Sequence, residues 1–179
     1  MFIDKDKYEE IQYLDELMRE LQDETLNKDW GYWHFSLLNL EKKGNLETRI
    51  LNALADIPKH KEPYYNLSGT KIYISSMDLK NLTFTRVENL KEEIIRKAEY
   101  WSMFEGPIKE GRAISEKFHA LKGVLADKIV DFLKSKDILE TKIVCGIDTS
   151  HSFGGDHSGD DILIDTKSGV YVIHFGFSS

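Results

Sequence analysis

TKIVCGIDTSHSFGGDHSGDDILIDTKSGVYVIHFGFSS, residues 141–179, holds three short β-rich runs around one loop of glycine and aspartate and one tight turn. The runs are 142–148, 161–165 and 170–175. Ile143, Cys145 and Ile147 share one face of the first. The other two are apolar on both faces around 162–164 and 170–173, as strands covered by helices are. Thr166-Lys167-Ser168-Gly169 puts glycine where a turn needs a permissive backbone. The spacing therefore predicts a hairpin over 161–175, closing a C-terminal strand meander.

Upstream of this stretch the chain reads mainly as helix. Tyr8, Ile11, Leu14, Met18 and Leu21 recur at steps of three and four, predicting a helix over about 7–26 with Asp6 and Glu9 as its capping pattern. Leu46, Ile50, Leu51, Leu54 and Ile57 predict a second, ended by Pro58. Leu90, Ile94, Ala98 and Trp101 predict a third over 88–102. Ile114, Phe118, Leu121, Leu125 and Phe132 predict a long fourth over 111–136, with Gly123 as a point of close helix packing. Between them lie Trp30-Gly31-Tyr32-Trp33-His34-Phe35, whose spacing suits strand or helix, and two strand candidates at 70–75 and 82–87. The aromatic density of 30–35 marks core, with His34 a packed, hydrogen-bonded histidine. Helices first and strands last give an α+β fold in one domain, 1–179, with N-terminal and central helices packed on one face of a mainly antiparallel sheet.

The net charge of −7 argues against a nucleic-acid or anionic-membrane footprint and suits a basic protein partner. The single cysteine, Cys145, excludes an internal disulfide and sits in an apolar run. No stretch approaches the roughly 18–20 apolar residues of a membrane span and no apolar leader opens the chain, so the expected location is the cytoplasm.

Chemistry concentrates at 148–161. Asp148, Asp156, Asp160 and Asp161 supply oxygens, and His151 and His157 nitrogens, but the spacing is neither that of an EF-hand nor H-E-x-x-H, so no metal or other cofactor is expected. A glycine-rich phosphate cradle leads into a helix, whereas this loop leads into a strand and carries repelling carboxylates. Two readings remain. In one, Ile162-Leu163-Ile164-Asp165-Thr166-Lys167 resembles the apolar-run-then-(D/E)-x-K element of the PD-(D/E)xK nucleases. That implies Asp148 and Asp165 around Mg²⁺, with Lys167 polarising the attacking water. In the other, Asp148, Asp156, His157, Asp160 and Asp161 present a recognition surface to a basic protein.

A second resemblance favours recognition. Gly154, Gly155, Asp156, Gly159, Asp160, Asp165, Thr166, Gly169, Val170, Tyr171 and His174 follow the glycine/aspartate–strand–turn–strand pattern of bacterial toxin-immunity proteins of the SUKH type. It covers about the last quarter of the chain. It implies a small acidic α+β protein, not an enzyme, that neutralises a cognate toxin by direct binding, without nucleic acid or membrane as partner. Opposite charge would speed that encounter and select the partner.

Overall fold

A computed structural model describes residues 5–26, 29, 31–38, 40, 42–56, 64–65, 71–72, 82–103, 114–145 and 158–177. In chain order its elements are α1 (Lys5–Asp23), β1 (Gly31–Leu38), α2 (Leu46–Asp56), β2 (Tyr64–Tyr65), β3 (Lys71–Ile72), β4 (Thr83–Arg86), α3 (Leu90–Ser102), α4 (Glu116–Lys134), β5 (Ile138–Cys145), β6 (Ser158–Thr166) and β7 (Gly169–Phe177). Five strands form one sheet in the order β1-β7-β6-β5-β4, every neighbour antiparallel, and β2 pairs with β3 in a separate ribbon. The fold is α+β, and β5-β6-β7 are the expected meander. Among the described residues no helix is long and apolar enough to cross a membrane.

Side-chain alternation along β6 and β7 explains the layers. Ile162, Ile164, Tyr171, Ile173 and Phe175 point to one face, where they join Trp33, Phe35 and Ile143. Over that face lie Leu14, Met18 and Leu21 of α1, Ile94, Ala98 and Trp101 of α3, and Phe118, Leu125, Ile129 and Leu133 of α4. Each fully buried large side chain here contributes roughly 1.5–3 kcal/mol. Leu163, Val170 and Val172 point the other way, against Leu46 and Ile50 of α2. The helices therefore do not all share one face: strands apolar on both sides need cover on both, and α2 supplies part of the second.

Local chemistry sets the element ends. Asn89 and Ser115 each accept a bond from a first-turn backbone N–H, that of Glu92 and that of Phe118, and Asn45 does the same for Thr48 ahead of α2. The first helix begins at Lys5, so Asp6 lies within it rather than capping it. Trp33, Phe35 and Leu37 follow the strand alternation, and β7 decides the matter by pairing along the whole of β1. In the β6–β7 turn the Thr166 hydroxyl donates to the Gly169 carbonyl at 2.8 Å and accepts from the Ser168 N–H at 3.2 Å. Gly169 has φ +146°, a backbone conformation that favours glycine, and a Cβ there would press on the tip of the Leu37 side chain at 2.8 Å. Gly123 makes no such demand: a Cβ on it meets nothing within 4 Å, so it does not mark close packing.

The outer edge of β1 is closed by α1. Gln22 Oε1 accepts from the Trp33 N–H at 3.0 Å and Asp15 Oδ1 from the Phe35 N–H at 2.9 Å. Two backbone donors that would otherwise invite another strand are thereby consumed.

Candidate functional site: twin carboxylates opening strand β6

Asp160 and Asp161 belong to the first turn of pleat in β6, which begins at Ser158, not to a projecting loop. Because successive residues of a strand face opposite ways, one carboxylate enters each face of the sheet. Both are buried, Asp160 at 8% exposure and Asp161 at 3%, so neither presents its charge to an external partner.

Asp160 meets α3. Its Oδ2 accepts from Lys97 Nζ at 2.7 Å and from Trp101 Nε1 at 2.9 Å. Lys97 and Trp101 are four residues apart, on the same helix face, and the lysine is itself 7% exposed. The ammonium is the charge that makes a buried carboxylate tolerable here, and the indole N–H fills a further lone pair.

Asp161 meets β7. Its Oδ1 lies 2.8 Å from His174 Nδ1, and the two residues are directly opposite in the register. An ionised carboxylate only accepts, so Nδ1 carries the proton and the ring orientation is held. His34 of β1 is in turn directly opposite His174, the ring centroids 4.7 Å apart at 33°. The ladder Asp161–His174–His34 thus runs across three strands. Tyr32 flanks it, 5.3 Å from His34 and 6.1 Å from His174, with its side of the cluster open to solvent. His34 Nδ1 is buried without a hydrogen-bond partner among the described residues, against the expectation of a hydrogen-bonded ring. Burial first, and then the charge of His174, push His34 down from 6.5 to about 4, with Asp161 and Asp15 pulling the other way.

Glycine makes the ladder possible. A Cβ on Gly159 would lie 2.7 Å from His174 Cε1 and 3.2 Å from the Phe175 carbonyl oxygen. The bare backbone at 159 is where the imidazole leans.

Asp165, on the same face as Asp161, is held by Arg49 of α2, whose Nη1 is 2.9 Å from both carboxylate oxygens, with both side chains under 10% exposed. Nearby, Lys142 reaches Glu47 at 2.6 Å. Lys167 lies in the turn, its side chain 70% exposed and 3.2 Å from Asp137. It does not converge on Asp165. Asp148, Asp156 and His157, like His151, fall outside the described residues. Among the described residues no three His, Cys, Asp or Glu side chains are arranged to hold a metal ion.

The residues that complete this region are Lys97, Trp101, His174 and Arg49. Lys97 carried a usable signal, since it interrupts the apolar stripe of Ile94, Ala98 and Trp101 and so called for a buried anion. Arg49 carried none, being one polar residue among several in α2. No family model, curated protein or solved structure matches the chain.

Proposed function

We propose that this chain works by binding another protein, as an immunity-type inhibitor that neutralises a cognate toxin with a basic surface in the cytoplasm. The observation that carries the reading is where charge remains facing solvent. The twin carboxylates and Asp165 are spent on internal partners, Lys97, His174 and Arg49, whereas α1 holds seven acidic residues against three basic, a net −4 of the chain's −7. Glu9, Glu10, Glu16, Glu20 and Asp23 lie on its exposed side, and Tyr8 and Tyr13 are 57% and 48% exposed among them. Carboxylates steer a basic partner, and tyrosines supply amphipathic contact area at low entropic cost. The contact surface therefore moves from 148–161 to the outer face of α1, with Asp148, Asp156 and His157 kept as further candidates.

The nuclease alternative is less well supported. It requires Asp165 to ligate Mg²⁺, yet Arg49 bonds both of its oxygens, and Lys167 faces solvent beside Asp137.

The test is co-purification from the native source with the partner identified by mass spectrometry, followed by titration of the purified pair at low and high salt. A complex that weakens with salt and with Glu16→Lys plus Glu20→Lys, in a chain that stays folded, supports the proposal. Mg²⁺-dependent cleavage of DNA or RNA by the chain alone, lost in Asp165→Asn, overturns it.

A further inference from the structure

We propose that the Asp161–His174–His34 ladder is an acid-sensitive latch, in which protonation of His34 weakens the hold of β7 on β1 and on the helix α1 bound to that strand's outer edge. Three strands meet in the ladder, and the ring of His34 sits 4.7 Å from that of His174. Asp161 keeps a proton on His174 Nδ1. A proton on His34 then sets a positive charge against the His174 ring, on a half-buried side chain whose Nδ1 is itself buried and has no acceptor among the described residues. The described charged and titratable groups that act on His34 are Tyr32 of its own strand, His174 of β7, Asp161 of β6, and Asp15 and Arg19 of α1. Asp161 and Asp15 favour the charged ring from a distance, but they hold His174 and the Phe35 N–H and Arg19, and neither reaches His34 Nδ1.

What would open is defined by the same bonds. The N–H groups of Trp33 and Phe35 point outward to Gln22 and Asp15. By the alternation of an antiparallel ladder, Tyr32, His34 and Ser36 are then the residues directed at β7. The α1–β1 unit is therefore tied within itself along one side of β1, and to the rest of the fold by the β7 pairing on the other side and by the apolar contacts of Leu14, Met18, Trp33 and Phe35 in the core.

The sign follows from linkage. The neutral ring is favoured in the closed state, so opening is insensitive to pH above about 6.5 and rises as pH falls towards 4. Between pH 7 and pH 5 the opening equilibrium increases about 20-fold if His34 recovers its ordinary value when open.

Native-state amide exchange at low urea, read residue by residue by NMR and corrected for intrinsic rates, tests this on the chain alone and does not depend on the binding proposal. The expected result is that the amides of His34 and Ser36 open with a smaller urea dependence than those of α4, and about 20-fold more at pH 5 than at pH 7. His34→Gln and His34→Phe, which take no proton, should each abolish the pH dependence. The latch is overturned if β1 and α4 amides share one urea dependence, if the pH effect on β1 is below about 3-fold, or if His34→Gln retains it.

Discussion

Replacing Asp160 with alanine separates a structural carboxylate from a contact carboxylate. The side chains of Lys97 and Asp160 are 8% and 11% exposed, and their 2.7 Å contact is joined by the 2.9 Å bond from Trp101. Deleting the anion leaves an ammonium buried with its counter-charge gone, which costs about 3–5 kcal/mol, more than the pair itself adds over an apolar substitute. For a chain of this length that corresponds to a fall in Tm of about 10 °C. Urea unfolding of the wild type, Asp160→Ala, Lys97→Met and the Lys97→Met/Asp160→Leu double variant measures it. Both single variants should be strongly destabilised, and the double variant should return to within about 2 kcal/mol of the wild type, since two apolar side chains need no counter-ion. Partner affinity, measured on the folded double variant, should be unchanged. A loss below about 1 kcal/mol in Asp160→Ala with an unaltered urea slope would refute the reasoning.

Further outcomes follow from the same geometry. Arg49→Ala should cost about 3–5 kcal/mol by stranding Asp165, while Lys167→Ala, in an exposed turn, should stay within about 0.5 kcal/mol in the same denaturation assay. Gly159→Ala drives a methyl into the His174 ring and should lose about 1–3 kcal/mol, with the histidine ring resonances displaced in NMR spectra. Gly123→Ala should raise Tm, because it gains about 0.5–1 kcal/mol of helix propensity and meets no neighbour. Asp15→Ala removes one edge cap from β1. It should cost about 1 kcal/mol and promote self-association detectable by light scattering, and an unchanged monomer would count against the edge-closing role.

The C-terminal hairpin was legible because its information is local: alternation, a glycine at the turn and a polar break. The aromatic run at 30–35 was not, because two periodicities fitted it and only β7, some 140 residues away, selects the strand. Asp160 read as loop and Asp161 as the strand's first residue, because glycines precede them and their own polarity hides a strand whose core-facing role is electrostatic. Their partners are remote in sequence, Lys97 by 63 residues, and Arg49 is 116 from Asp165. Pairings at such separations depend on which helix lands on which face of the sheet, and no spacing encodes that.

The twin aspartates also bear on how β6 finds its alignment. If the strand slid by one residue in one direction, Ile162 would take the place opposite His174 and leave the imidazole without its carboxylate. Sliding the other way would set Gly159 against Lys97 and drive Asp161 into the layer where Ile162 now sits. The apolar run Ile162-Leu163-Ile164 resists such a slip only at its ends, where an aspartate would enter, because its middle positions stay hydrophobic in either direction. Two adjacent like charges, each answered from a different side, reject both errors. They act as a two-sided alignment key at the mouth of the central strand, and they fix the frame in which every later residue of the hairpin is read.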